Sequence, residues 1–305
     1  MHVLITGGTG AIGRKLAVDL LAHGYGVTVL SRQPVRPAGL PLAVKFLRWD
    51  GRTAAYWSEQ LEQVEAVINL AGAGLVDKRW TDERKKLLLN SRVQAGQAVT
   101  EAFAAAERKP AVLIQASAVG YYGGWEADRI FTEDSPPGAD FLADICGQWE
   151  ASTAAVEAMG VRRVILRTGV VLDTEGGALP KMAAPFRFFG GGPVGNGRQW
   201  LSWIHWGDEV SAVRFLLETK HTAGPVNLTA PQPLTNREFA QAIGRVLHRP
   251  AVAPAPAFAL KLVLGELAEI VLKGQRVLPS RLQEWGFAFR FPQAEAALRD
   301  LLGGK

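Results

Sequence analysis

Short apolar runs alternate with stretches of helical spacing through the first 170 residues. His2 to Thr6 is an apolar strand, Arg14 to Ala22 sets Leu16, Ala17, Leu20 and Leu21 on one side of a helix, and Val27 to Leu30 is a second buried strand. Further strands are predicted at Val44–Leu47, Ala66–Leu70, Val112–Ala116 and Val164–Arg167, and helices at Thr81–Ala106 and Phe141–Met159. Strands alternating with helices build a parallel sheet, and right-handed crossovers make it doubly wound. The predicted class is therefore α/β.

Near residue 173 the pattern changes. Gly176-Gly177, Phe188-Phe189-Gly190-Gly191-Gly192-Pro193 and Gly195-Asn196-Gly197 interleave glycine with aromatics, which predicts a loop lying over a substrate cleft. Gly207 to Glu218 then reads as a helix and Val226 to Leu228 as a short strand. From Thr235 onward the chain is helical, with a Pro-rich interruption at Pro250 to Pro256. Phe258 to Leu272 is broken by Lys261, Gly265, Glu266 and Glu269, so it predicts an amphipathic helix of a soluble domain. Two domains are expected. Residues 1–172 form a nucleotide-binding domain to which the chain returns at 206–228, and residues 173–305 form a smaller, mainly helical substrate domain, discontinuous and built from 173–205 and 229–305.

Composition narrows the function classes. At 305 residues and 48% hydrophobic, the chain can bury a large core. Its single cysteine, Cys146, excludes an internal disulfide. With no signal-peptide pattern and no apolar run approaching about eighteen residues, a cytoplasmic protein without a membrane partner is expected. The net charge of +5 is scattered and no helix-turn-helix or zinc spacing accompanies it, so nucleic acid is not an expected partner. The five histidines lack metal-ligand spacing, so no bound metal is predicted. A small-molecule substrate is what remains.

The candidate chemistry begins at the first strand, which runs straight into Gly7, Gly10 and Gly13. Gly7 turns tightly with positive φ, Gly10 lets the backbone approach a phosphate, and Gly13 lets the following helix pack against the strand. The unpaired N–H groups and positive dipole end of that helix face a diphosphate. Strand, glycine turn, helix and strand within about thirty residues is the dinucleotide-binding context, and it nominates Gly7, Thr9, Gly10, Ala11, Ile12 and Gly13. The second strand ends at Ser31-Arg32, where a guanidinium bonds a 2′-phosphate that a carboxylate would repel. NADP (NADPH) is therefore favoured over NAD. Ligands bind at the carboxyl ends of such strands, which adds Trp49 and Asp50, Leu70 to Ala73 (Leu70, Ala71, Gly72, Ala73), Ala116 with Ser117, and Thr168, Gly169 and Val170. Asp50 either bonds an adenine amino group or, with Gly51, makes a turn.

Taken together, the runs ITGGTGAIG, NLAGAG (69–74), QASAVGYYG (115–123), LRTGVVL (166–172) and GNGRQWLSWIH (195–205) resemble an extended or atypical short-chain dehydrogenase/reductase, more narrowly an epimerase-family group. The likeness spans essentially the whole chain. It implies a Rossmann-type fold, NADP binding and an oxidoreductase or epimerase activity. It further implies that Ser117 matches the catalytic serine, that NLAGAG supports the adenine pocket, and that Asn90 lies where a structural asparagine is often found.

One departure matters for the chemistry. Ordinary members carry Tyr-x-x-x-Lys on the helix after the serine strand, one turn apart on one face. The ammonium depresses the phenol pKa and grips the nicotinamide ribose, and the phenol exchanges a proton with substrate. In this chain Leu142 and Cys146 stand at those places if Glu150 keeps its register, and neither does that chemistry; a buried thiol of this kind is a packing residue more often than a nucleophile. Tyr121 and Tyr122 follow Ser117 on the next loop, so either phenol is a candidate acid or a cover for the cofactor. Asp144 is a further acid or a solvated helix charge. His205 and Asp208 are substrate contacts or, alternatively, structural anchors or helix caps. Three functions follow: an NADP-dependent oxidoreductase with a non-standard proton donor acting on a small carbonyl or alcohol, a sugar-nucleotide epimerase or dehydratase, and a non-catalytic NADPH-binding sensor.

Overall fold

In the computed structural model, which describes residues 1–124 and 128–303, the predicted strands pair side by side. β1 (His2–Thr6) leads through the glycine turn into α1 (Ala11–Ala22), and β2 (Gly26–Ser31), β3 (Lys45–Arg48) and β4 (Ala66–Asn69) follow. Thr81 caps α2 (Asp82–Ala105), its hydroxyl accepting from the Arg84 N–H at 3.2 Å. Next come β5 (Val112–Ala118), β6 (Ile130–Phe131), α3 (Phe141–Ala151), β7 (Arg162–Thr168), β8 (Val170–Leu172) and α4 (Leu179–Arg187). After β9 (Trp200–Leu201) and β10 (Trp203–His205), α5 (Trp206–Glu218) returns the chain to β11 (Gly224–Leu228). The remainder is β12 (Leu234–Thr235), α6 (Asn236–Leu247), α7 (Ala257–Leu264), α8 (Ala268–Leu272), β13 (Arg276–Val277), α9 (Ser280–Glu284) and α10 (Ala294–Leu302).

Seven strands make one sheet in the order β11-β7-β5-β4-β1-β2-β3, every pair parallel. Side chains alternate across it. Val3 and Ile5 join Leu16, Val29, Ile114, Val164 and Leu216 under α1 and α5, whereas Leu4 joins Leu30, Val67, Val99, Phe103 and Leu113 under α2. Both faces are covered, which is why the strands are apolar throughout. β1 and β4 lead to opposite sides of the sheet, and the crevice at their carboxyl ends is where such folds bind ligands. A third apolar cluster, with Trp203, Phe186, Phe239, Ile243 and Leu298, draws together α4, α6, α10 and β10. β6 and β13 pair in parallel and fasten the carboxyl-terminal segment to the chain beyond β5. No helix among the described residues is long and apolar enough to cross a membrane.

Two predicted helices are shorter than expected. The one expected over 141–159 ends at Ala151, because the Ser152 and Thr153 hydroxyls donate back to the Trp149 and Glu150 carbonyls at 2.6 and 3.4 Å; only a 3₁₀ turn, Ala154–Met159, follows. The one expected over 258–272 divides into α7 and α8 at Gly265, whose φ of +60° ends the first helix. The glycine-aromatic loop after α4 pairs with the Pro-rich segment: Ala255 donates to Pro193 O at 2.9 Å and Gly195 to Ala255 O at 2.9 Å.

Candidate functional site

The turn after β1 leaves no room for a side chain at Gly7 or Gly13. Gly7 has φ +68°, and a Cβ there would sit 2.8 Å from the Leu70 carbonyl oxygen; one on Gly13 would sit 2.6 Å from Gly8 Cα. Gly10 begins α1 without a side-chain cap, so the first N–H groups of the helix stay open toward a ligand. They border a crevice of about 970 Å³ lined by Gly7, Thr9, Gly10, Ser31, Arg32, Trp49, Asp50, Leu70, Ala71, Gly72 and Asn90. A dinucleotide fits this cradle, since its bare backbone donors suit a diphosphate.

At the rim, the Ser31 and Thr9 hydroxyls are 3.0 Å apart and Ser31 also accepts from the Gln33 N–H at 3.2 Å. Arg32 lies across Gly51: a Cβ at that residue, whose φ is +83°, would be 3.2 Å from Arg32 Cδ. The Asp50 carboxylate is engaged by its own turn, accepting from the Arg52 and Thr53 N–H groups and the Thr53 hydroxyl at 2.9–3.0 Å. Partial burial opposes its charge, yet these donors hold its pKa below the usual carboxylate value. Of its two predicted roles, the turn is the one its oxygens fill. Trp49 donates its indole N–H to Thr53 O at 2.7 Å. Arg32→Ala is expected to weaken NADPH binding by about 1.5–3 kcal/mol, the worth of a charge-assisted contact, and NADH binding far less; calorimetric titration with both checks it.

Ser117, at the end of β5, donates to Glu150 Oε1 at 2.7 Å. Arg167 of β7 grips the same carboxylate, Nε to Oε1 and Nη2 to Oε2 at 3.0 Å each, and its Nη1 reaches the Tyr122 hydroxyl at 3.1 Å and Glu133 O at 3.2 Å. Burial works against the guanidinium charge, but the Glu150 and Tyr122 contacts outweigh it and raise the pKa. Tyr122 is wholly buried, and its hydroxyl donates to Asn227 Oδ1 at 2.7 Å. With no exposed surface Tyr122 is a core residue, which corrects the expectation that either tyrosine reaches the cleft, and the same burial pushes its phenol up to about 12. Tyr121 is only partly buried, edge-on to Tyr122, with the Arg167 guanidinium 3.4 Å from its ring centroid.

α3 turns Leu142 and Cys146 to the short turn after β5. A Cβ on Gly120 would meet Leu142 Cβ at 3.3 Å and Cys146 Sγ at 3.6 Å. Burial pushes the thiol up to about 12, as befits a packing residue. Asp144 is exposed and accepts from the Gln148 amide at 3.0 Å. His205 Nδ1 accepts from the Gly207 N–H at 3.0 Å and so caps α5, while the Asp208 carboxylate accepts from the Arg290 and Phe291 N–H groups at 2.9 Å. His205 is thus a helix cap and Asp208 a structural anchor for the chain before α10. Ala73 donates its N–H to Ser91 at 3.0 Å, and Gly169 is held against the Ser202 carbonyl, 2.6 Å from a would-be Cβ. Ala73, Ala116, Thr168, Gly169 and Val170 do not line the crevice, and Ala11 and Ile12 border a second cavity instead.

Two residues near the site gave no signal in the sequence. Arg92 of α2 lies against Gly72, with Cζ 3.2 Å from a would-be Cβ, and over the Trp149 ring at 4.9 Å; its Nη1 donates to Leu88 O at 2.9 Å and burial lowers its pKa. Glu209 borders the second cavity, of about 140 Å³. Its Oε1 accepts from the Thr168 hydroxyl at 2.9 Å, its buried Oε2 has no partner, and burial pushes the carboxyl up to about 8. An acid beside Asp208 at a helix start reads as an ordinary complement to the dipole.

That burial couples stability to pH. The unfolded chain releases the Glu209 proton near 4.5 and the fold holds it to about 8, so its contribution to stability is full below 4.5, drains as pH rises to about 8 and is flat above. Glu209→Gln is expected to remove a slope of at most about 1.4 kcal/mol per pH unit, read from melting temperatures of both proteins between pH 5 and 8.5.

Residues 3–228 match the model of the NAD dependent epimerase/dehydratase family, and residues 255–301 match a domain of unknown function, DUF1731. The chain is 40% identical to epimerase family protein YfhF of Bacillus subtilis over 306 residues, covering 100% of this chain and 99% of that protein. Identity to the chloroplastic epimerase family protein SDR39U1 homolog of Arabidopsis thaliana is 41% over 304 residues, 99% of this chain and 87% of the relative. The crystal structure of human epimerase family protein SDR39U1 (isoform2) with NADPH superposes with a TM-score of 0.87 at 35% identity, covering 99% of each chain.

Proposed function

The chain belongs to the NAD dependent epimerase/dehydratase family, and from that premise we propose that it is an NADP-dependent oxidoreductase acting on a small carbonyl or alcohol, with Tyr121 as its proton donor. NADPH is the fitting cofactor. The human relative was crystallised with it, and the Gly7–Gly13 turn, Ser31 and Arg32 offer backbone donors to a diphosphate and a cation to a 2′-phosphate. When bound, the nicotinamide supplies or accepts the hydride.

The observation that carries the reading is the split fate of the tyrosine pair. Tyr122 is locked in the core by Asn227 and Arg167, while Tyr121, one residue away, keeps partial exposure and has its ring fixed beneath Arg167. Ser117 is anchored by Glu150 and so positions the turn that carries Tyr121. A phenol held in place at the end of β5 can give a proton to a carbonyl oxygen as hydride reaches its carbon. Residues 173–205 and 229–303 would then shape the substrate end of the cleft.

Single-turnover mixing of NADPH-loaded protein with a carbonyl panel, followed by nicotinamide absorbance, tests it. Tyr121→Phe is expected to slow the decay by about a hundredfold while NADPH affinity stays within about twofold. A second reading, a non-catalytic NADPH-binding sensor, draws support from Leu142 and Cys146, which pack against Gly120 where proton-transfer groups would stand. Tight NADPH binding with no turnover across the panel would favour it.

A further inference from the structure

Glu209 is a side chain that packing alone does not explain. It is buried, its Oε2 has no hydrogen-bond partner, and that oxygen belongs to a residue lining a cavity of about 140 Å³. The rest of the lining is chiefly apolar, with Ala11, Ile12, Val171 and Trp206, and its two other charged members, Lys15 and Asp173, pair with each other at 3.4 Å, Lys15 also reaching Glu175 at 3.2 Å. An unsatisfied buried carboxyl costs free energy that a leucine of similar volume would not. A bound group that pairs with it removes the penalty.

The location narrows what that group is. Ala11 and Ile12 are the first two residues of α1, so the cavity and the large crevice lie on either flank of the same helix N-terminus. Thr168, which donates to Glu209, pairs in the sheet with Ala118, the residue after Ser117. A dinucleotide that begins beside Arg32 and crosses the N–H groups of α1 therefore continues toward Glu209. Its far end carries a flat ring with one carboxamide, a neutral polar group suited to a chiefly apolar cavity in which Lys15 and Asp173 are already paired and Glu209 is not.

We propose that Glu209 is the residue that reads the carboxamide of the nicotinamide ring, with Oε1 fixed by Thr168 and Oε2, which no protein group among the described residues engages, taking up the ligand. The carboxyl, protonated at neutral pH, donates through Oε2 to the carboxamide oxygen. No net charge is buried by the contact. Glu209 is thus a specificity residue for the intact cofactor, a role that rests on the NADPH binding proposed above and not on hydride transfer.

The test is calorimetric titration with NADPH and with 2′-phospho-ADP-ribose, the same molecule without the nicotinamide. Glu209→Leu is expected to weaken NADPH binding by about tenfold or more while leaving 2′-phospho-ADP-ribose unchanged, and Glu209→Gln, which keeps a neutral donor, stays within about threefold on both. Equal loss on both ligands, or no loss on NADPH, overturns the proposal. A measurement on the unmodified protein guards against a leucine variant that folds poorly. The thionicotinamide analogue of NADP, whose sulfur is a weak acceptor, should bind about threefold or more weakly than NADP, and equal affinity overturns the proposal as well. Because every readout is binding, a protein that never turns over a carbonyl tests the role of Glu209 equally well.

Discussion

Arg167→Met lowers the unfolding free energy by about 3–5 kcal/mol, the expected cost of removing one partner from a buried ion pair. Arg167 and Glu150 are both buried, and the guanidinium makes two bonds to the carboxylate and two more to Tyr122 and Glu133. Without it, the Glu150 carboxylate keeps the Ser117 hydroxyl but loses its counter-charge in a largely buried site. The cost belongs to the orphaned carboxylate more than to the pair. Arg167→Met combined with Glu150→Leu should therefore recover most of the loss, leaving a protein within about 1–2 kcal/mol of the parent. Urea unfolding of the parent, both single variants and the double variant gives the coupling directly; a double variant as unstable as the sum of the singles would mean that the pair is not the unit. Tyr121 adds a second readout, since its ring loses the guanidinium above it and the turn after β5 should loosen.

Gly13→Ala is expected to cost about 2–4 kcal/mol and to raise the Kd for NADPH by about a hundredfold. The methyl group would lie 2.6 Å from Gly8 Cα, 2.7 Å from Gly7 O and 2.9 Å from Gly8 C. All three obstacles are backbone, so no rotamer change relieves the overlap, and α1 must move away from the turn. That motion displaces the helix N–H groups that face the crevice, so stability and affinity fall together. Thermal melting with and without NADPH checks it: a variant that melts like the parent and still gains the full stabilisation from NADPH would show that α1 does not depend on this close approach.

The sheet was legible because both of its faces are buried. Val3, Leu4 and Ile5 are all apolar although they point to opposite layers, and the same holds at Val67-Ile68 and Leu113-Ile114. Helix ends were less legible. Ser152 and Thr153 stop α3 through side-chain bonds to the preceding carbonyls, a local competition that apolar spacing does not register. Gly265 was visible as a break in polarity but not as a left-handed residue that ends a helix. At the site, Arg32 was found by its distance from the glycines, a spacing the fold imposes. Tyr121 and Tyr122 are neighbours in one tight turn with different burial, and contacts from distant segments, Phe131, Arg167 and Asn227 among them, decide which is inside. Arg92 against Gly72 and Glu209 beneath Thr168 are meetings of distant segments without a motif, so nothing in the order of residues announces them.

The fastening of β13 to β6 bears on how the chain is made. A ribosome delivers the last strand of the sheet with Leu228, yet the Asn227 amide must wait for Leu278 O, 51 residues later, and Thr229 for Val277 O. Glu133, made long before, likewise waits for the Arg281 N–H. For that interval the nascent sheet holds buried polar groups without their acceptors and donors, so the amino-terminal half is the part that needs shelter during synthesis, and the final knot is tied only once residues 277–281 emerge.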